Sequence, residues 1–383
     1  MRKILFLTVI FIFVFVISGI AADKKPREKY GVDERNVEWA KKKFETSNKV
    51  INWRMGETWT KGIIFHDFAQ HFCDSVRAVS GGRLNIKLSQ AGAIVPPMEL
   101  FDAVGKGVLE CGHAWSGYWK GKNEAIVCFG SVPYGLDAEG YNLWLFARGG
   151  MKMWNDIYKP FGLVVFPGGL TGQEMGLFSN KKAVKMADFK GIKVRTVGWY
   201  MDILSRLGVS VTPLPGGEIY FALERGVIDG AEFATPAVNL PMGFDEVTKY
   251  VIEPGVHQPA SQFEIFINEK AYNSLPEDLK AVVDICSKET QLWSYAWSEN
   301  LNIKAVDEMG KKVEYVKMDK ETIIEFAKTS HQYLEEVKAK YPDVKKVLDS
   351  QEQYLKEFAK WRDIRGGVAP WPYEDFVKGK LYQ

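Results

Sequence analysis

A fourteen-residue unit occurs twice in this 383-residue chain. Glu99-Leu-Phe-Asp-Ala-Val-Gly-Lys-Gly-Val-Leu-Glu-Cys-Gly112 aligns without a gap on Glu218-Ile-Tyr-Phe-Ala-Leu-Glu-Arg-Gly-Val-Ile-Asp-Gly-Ala231. Both copies follow a proline-containing turn, Pro96-Pro97 and Pro213-Leu-Pro215. Both place a glycine, Gly107 or Gly226, where a helix C-terminus needs positive φ. The unit reads as helix, glycine stop, short strand (Val108-Leu109, then Val227-Ile-Asp229). A helix-strand unit cannot bury its apolar face alone, so two copies far apart predict two similar α/β lobes. A small ligand commonly binds between such lobes.

The intervening patterns extend this α/β reading. Val50–Met55 and Arg83–Leu88 read as strands on either side of a helix from about Gly62 to Val79, with Phe65, Phe68, Phe72 and Val76 on one face. Strands alternating with helices imply mixed sheets with crossover connections. Phe161–Phe166 is a further strand, Gly168–Gln173 a turn, Met175–Ser179 a strand, and Phe263–Ile267 a return strand, so the chain crosses between lobes twice, through hinge strands. The expected division is lobe 1 over 47–172 and 261–290, and lobe 2 over 173–260. Long C-terminal helices over 291–383 would span the lobes or meet a partner. Asp343 is placed to N-cap the last helix, and Arg365-Gly-Gly367 to end it.

Met1-Arg-Lys3, the apolar run Ile4–Ile17 and the small residues Ser18–Ala22 predict a secretory signal peptide over 1–21. The run is short for a membrane span of about 20 residues. A charged arm follows over 22–46. Lys plus Arg number 50 against 48 Asp plus Glu, a balance that argues against nucleic acid as a partner. Cys73, Cys111, Cys128 and Cys286 match no zinc spacing; disulfides and buried thiols both stay open. The sequence carries no convincing nucleophile triad, phosphate loop or dinucleotide fingerprint, and is read as a binding protein and not an enzyme.

Binding a small anion needs a charge fork, a few polar groups and aromatic walls. Arg195, at the end of Gly191-Ile-Lys-Val-Arg, supplies the fork. Arginine holds a carboxylate through two parallel hydrogen bonds. His113 to Trp119 places Trp115 and Tyr118 just after the first repeat, where α/β sheets bind ligands, at strand carboxyl ends.

Gly191–Arg195, then Leu207-Gly208 and Val211-x-Pro213, then Glu218-x-x-x-Ala222-Leu-x-x-Gly226-Val-Ile-Asp-Gly-x-Glu232, with a proline after, resembles the solute receptors of TRAP (tripartite ATP-independent periplasmic) transporters. The resemblance runs from about Val50 to residue 290. It implies a two-lobed periplasmic binding protein of the Venus-flytrap type. Thr171-Gly-Gln-Glu174, Glu232-Phe233 and Pro254–Pro259 resemble the branch that binds 2-oxo acids and lactate with a metal cation. By that resemblance Gln173 and Glu232 (side chains) and Phe233 (backbone carbonyl) would hold sodium or calcium. Arg195 would hold the substrate carboxylate, and Tyr118 and Gln258 would fall in the pocket. It further implies membrane permease subunits as partners, and a homodimer exchanging a C-terminal helix, here 343–364.

The charges are consistent with a cation. Glu232 and a bound carboxylate would face one Arg195, and a buried net charge is costly; a hard cation with oxygen ligands would neutralise it. Phe233 stands where the family usually has tryptophan, and Gln258 where an acid is often found. Trp53, Trp59, Trp115 and Trp119 would suit a larger or aromatic acid, an alternative to a small 2-oxo or 2-hydroxy monocarboxylate. A receptor that feeds a signalling partner is the other alternative.

Overall fold

The computed structural model of the protein describes residues 43, 44 and 46–365. The expected signal peptide, most of the expected arm and residues 366–383 lie outside the described residues. No helix among the described residues is long and apolar enough to cross a membrane.

The strands are β1 (Ile51–Glu57), β2 (Leu84–Ser89), β3 (Cys111–Trp115), β4 (Leu163–Thr171), β5 (Leu177–Ser179), β6 (Lys193–Arg195), β7 (Ser210–Thr212), β8 (Gly230–Ala231), β9 (Tyr250–Glu253), β10 (Ser261–Asn268) and β11 (Glu314–Lys317). They form two mixed sheets, β2-β1-β3-β10-β4 and β11-β9-β5-β8-β6-β7. Each sheet contains the same motif. In the first, β2-β1-β3 are parallel and β10 is antiparallel to β3; in the second, β7-β6-β8 are parallel and β5 is antiparallel to β8.

The repeated unit generates this likeness. Helix α1 (Ile64–Val79) covers the first sheet, and α2 (Leu100–Gly105) is the helix of the first repeat. After α3 (Gly198–Arg206), α4 (Ile219–Glu224) is its counterpart. Both short helices end identically. Gly107 has φ 77° and Gly226 has φ 66°. The amides of Gly107 and Val108 donate to Val104 and Ala103, and those of Gly226 and Val227 to Leu223 and Ala222. This is the paired bond pattern of a Schellman stop. It also corrects the expected strands at 108–109 and 227–229. The valine amide is spent on the helix end, so Val108 and Val227 stay exposed, Leu109 and Ile228 turn into the core, and the strands begin at Cys111 and Gly230. His113–Trp115 accordingly belong to β3, with a 3-10 turn over Ser116–Trp119 following.

The expected turn at Gly168–Gln173 is strand as far as Thr171. β4 stays paired with β10 along its length by absorbing Gly168 as a bulge opposite Phe263/Glu264. Both strands then leave the first sheet: β4 leads to β5, and β9 leads back to β10.

Helix α5 (Glu277–Met309) starts before residue 291, where the C-terminal helices were expected, and packs on β4, α1 and the short helix Pro236–Asn239. Helix α6 (Lys320–Lys340) packs on α3, and α7 (Pro342–Arg365) on the helices Ala138–Ala147 and Gly150–Tyr158. Asp343 lies within the first turn of α7, which begins at Pro342, where the fixed φ of proline suits a helix start. All four cysteines are free and buried.

A buried carboxyl joins the core to the segment after β3. Glu264 of β10 accepts from Trp119 Nε1 at 2.6 Å and from the Tyr158 hydroxyl. Burial pushes this acid up to about 8, against the lowering effect of those two donors. Because the folded state binds this proton more tightly than the unfolded chain, its contribution is favourable below pH 4.5 and is lost as pH rises through about 8. Glu264→Gln is therefore expected to stabilise the protein at pH 8, by on the order of 3 kcal/mol, and to have little effect at pH 4.5. Thermal unfolding at both pH values checks this; an equal effect at both contradicts it.

Candidate functional site

Arg195 ends β6 and is paired in register with Ala231 of β8. That register sets its side chain beside the next residue of the repeat, Glu232. Arg195 is 1 % and Glu232 2 % exposed. Arg195 Nη1 donates to Glu232 O at 2.8 Å and to Glu232 Oε1 at 3.2 Å, and Nε donates to Leu214 O at 3.0 Å. The guanidinium lies 5.3 Å from the Phe233 ring centre, and Tyr118 lines the same cavity beside it. Nη2 is the nitrogen that neither Glu232 nor Leu214 holds.

Gln173 does not reach this group. It is exposed, and its amide lies 3.4 Å from Gly255 O. The residue brought in is Glu174. Past the end of β4 the side-chain alternation lapses, and long-range backbone bonds take over: Glu174 N donates to Gln258 O and Met175 N to Ala234 O, both at 3.1 Å. These bonds turn Glu174 inward and Gln173 out. Glu174 Oε1 accepts from Ser261 Oγ at 2.6 Å, and Gln258 Nε2 donates to the same Oγ at 2.6 Å. Gln258 thus braces Glu174 through Ser261 as well as lining the cavity.

A third titratable group completes the cluster. His257 Nε2 lies 3.2 Å from Glu232 Oε2 and 3.4 Å from Glu174 Oε2, and its ring stacks on Tyr200 at 4.7 Å. Ligand atoms of Glu174, Glu232 and His257 all lie within 4.8 Å of one another. Although close, His257 Nε2 and Glu174 Oε2 make no well-directed hydrogen bond, and both are buried. Burial alone would lower His257, yet the two carboxylates raise it to about 9. Burial raises Glu174, only partly offset by His257. In Glu232 the same burial is outweighed by His257, Arg195 and Thr196, and its carboxyl is held below the usual range.

These polar groups open onto a cavity walled by Trp59, Phe65, Trp115, Tyr118, Phe233 and Phe263, with Val197, Gln258 and Ser261. Burial pushes the Tyr118 phenol up to about 12, so it is a donor at neutral pH. Trp59 is fixed by His113: Trp59 Nε1 donates to Nδ1 at 2.9 Å, so Nε2 carries the proton and donates to Gly168 O at 2.9 Å. Burial holds His113 down to about 4, which keeps it neutral. Trp53 and Trp119 are elsewhere, Trp53 in the core under β1 and Trp119 on Glu264. A second cavity, behind Glu232 and His257, is lined mainly by apolar residues such as Leu177, Leu204 and Ile252. Arginine and the aromatic donors belong to the first, which is the better fit for an organic anion.

Sequence reasoning missed Glu174, His257 and Ser261. The first stands beside Gln173 in Thr171–Glu174 and the second inside Pro254–Pro259, so both lay within stretches already singled out.

Residues 55–340 match the family model for DctP, bacterial extracellular solute-binding protein, family 7. A monocarboxylate 2-oxoacid-binding periplasmic protein of Nostoc sp. is 32% identical over 317 residues, 82% of this chain and 86% of that protein. A TRAP periplasmic solute binding protein of Colwellia psychrerythraea with bound calcium and pyruvate is 32% identical, with TM-score 0.80 over 82% of this chain and 97% of its own. One of Pseudoalteromonas atlantica with bound sodium and pyruvate is 31% identical, with TM-score 0.79 over 88% and 100%. One of Bordetella bronchiseptica, a mixed occupancy dimer with copurified calcium and picolinate in its active site, is 28% identical, with TM-score 0.81 over 88% and 98%. The chain therefore belongs to the DctP family of bacterial extracellular solute-binding proteins and is a TRAP solute-binding protein with a two-lobed α/β fold.

Proposed function

We propose that this protein captures a small 2-oxo or 2-hydroxy monocarboxylate together with a cation, and presents it to TRAP membrane subunits. The observation that carries the reading is the burial of Arg195, Glu174 and Glu232 side by side in one aromatic-walled cavity. Nη2 of Arg195 and the Tyr118 hydroxyl would hold the ligand carboxylate. With it bound, three carboxylates face Arg195 and the cationic His257, and the one surplus negative charge must be balanced. The residues fit a cation: Glu174 Oε2 is buried without a directed partner, and Glu232 Oε2 faces it across His257. Glu174, Glu232 and the Phe233 carbonyl would hold the ion. Sodium or calcium would supply positive charge there, since both take oxygen ligands. The rings of Trp59, Phe65 and Phe263 enclose the apolar end of the ligand.

The relatives that bind pyruvate or picolinate with calcium or sodium support this reading. In it, lobe 1 is 47–172 with 261–290, lobe 2 is 173–260, and the hinges are the passages β4 to β5 and β9 to β10. Residues 1–21 direct export to the periplasm and are removed. A second copy seats on α7, where Trp361 and Ile364 are exposed; sedimentation as a monomer removes that part.

Calorimetry tests the main claim. Protein stripped by dialysis against chelator in sodium-free buffer should bind pyruvate weakly, and calcium or sodium should strengthen binding at least tenfold at one site. Picolinate in the same series asks whether the aromatic walls favour a ring. Equal affinity with and without both cations contradicts the cation; no binding of any 2-oxo or 2-hydroxy acid contradicts the ligand class.

A further inference from the structure

Polar contacts outside the binding site join the two segments that flank it. The 3-10 turn presenting Tyr118 continues into Lys120 and Glu124, while α3 begins three residues after Arg195 and carries Trp199 and Asp202. The first segment follows β3 of one sheet, the second β6 of the other. Lys120 Nζ forms an ion pair with Asp202 Oδ2, and Trp199 Nε1 donates to Glu124 Oε1 at 2.8 Å. The Tyr333 hydroxyl of α6 donates to Asp202 Oδ2 at 2.6 Å, which fixes that carboxylate from behind. Trp199 is 2 % exposed. At the head of α3 the backbone comes close to Trp115: a Cβ on Gly198 would lie 3.2 Å from the indole.

We propose that Lys120–Asp202 and Glu124–Trp199 are a clasp that holds the cleft shut and sets how long the ligand stays. The proposal rests on the cavity being the ligand site. An exposed ion pair alone is worth little. Here one pair includes a buried indole donor, and the carboxylate of the other is pre-oriented by Tyr333, which lowers the entropic cost of pairing. The clasp joins segments of opposite sheets, so it exists only when these segments meet, and it favours the closed form without touching the ligand. Lys120 is two residues from Tyr118 and Trp199 four from Arg195, so opening the clasp separates the two groups assigned to the carboxylate. A ligand departs only after opening, and the effect belongs in the off-rate.

The double variant Lys120→Met/Trp199→Phe tests this. In stopped-flow fluorescence with pyruvate and calcium, the off-rate is expected to rise about tenfold, the on-rate to stay within about twofold, and the melting temperature of ligand-free protein to hold. Raising salt should speed release from the wild type and not from the variant. An unchanged off-rate overturns the proposal, as does a loss confined to the on-rate. If the wild type binds no such acid, the ligand assignment fails separately. The clasp is then read from the distance between dye labels on the two lobes, which should lengthen in the variant; an unchanged distance overturns it.

Discussion

Arg195→Ala is expected to abolish carboxylate binding, with affinity for pyruvate falling at least about a thousandfold in calorimetry. Arg195 does two jobs that alanine cannot do. In the proposed reading it offers Nη2 to the ligand, and it closes a buried ion pair by donating to both the carbonyl and the carboxylate of Glu232. Removing it leaves Glu232, 2 % exposed, with His257 as its remaining charged partner, and breaking such a pair typically costs about 3–5 kcal/mol of stability. The melting temperature should therefore fall with the affinity. Arg195→Lys separates the two jobs. Lysine restores a charge beside Glu232, so stability should largely recover. A point charge on a flexible stem cannot bond Leu214 O, Glu232 O and Glu232 Oε1 and still present a planar fork. Affinity should stay at least about a hundredfold low. Wild-type affinity in either variant would remove Arg195 from the ligand site.

The second large effect is expected at Glu232. Glu232→Gln keeps the shape, and its side-chain oxygen can still accept from Arg195 Nη1, but it removes the charge. Pyruvate affinity in calcium should fall about a hundredfold, and the residual binding should no longer respond to chelator. Glu174→Gln should act in the same direction. Gln173→Ala should leave affinity within about twofold, because its side chain is exposed and faces Gly255. The contrast between positions 173 and 174 is informative because they are adjacent: a loss at 173 and none at 174 would reverse the assignment.

The difference between those neighbours shows where the sequence is legible. The repeated unit could be read because its punctuation is local: one glycine at positive φ, just past each short helix, makes the same stop at Gly107 and Gly226. Arg195 was legible as the charged end of Gly191–Arg195, and Glu232 only through the resemblance to the TRAP receptors; the register of β6 and β8 that sets them side by side was not in the sequence. Trp115 and Tyr118 were legible from their place just after the first repeat, although Trp115 is the last residue of β3 and not part of a following loop. Glu174 was not legible. Residues 172–176 belong to no strand or helix, so period-two alternation gives no facing there. Their orientation comes from bonds to Gln258 and Ala234, more than fifty residues away. His257 was hidden for the same reason, in a loop between β9 and β10 whose course is set by both sheets. The length of β4 was misjudged because Gly168-Gly169 resembles a turn; it is a bulge, filled in the core by Phe68 against Gly169.

Diffraction from crystals grown with pyruvate and calcium tests the joint capture of anion and cation most directly. The result expected is a pyruvate carboxylate on Arg195 and Tyr118, inside the ring of Trp59, Phe65 and Phe263, with calcium about 2.3–2.6 Å from oxygens of Glu174 and Glu232. Pyruvate bound away from Arg195, or calcium bound with neither glutamate as a ligand, would contradict it.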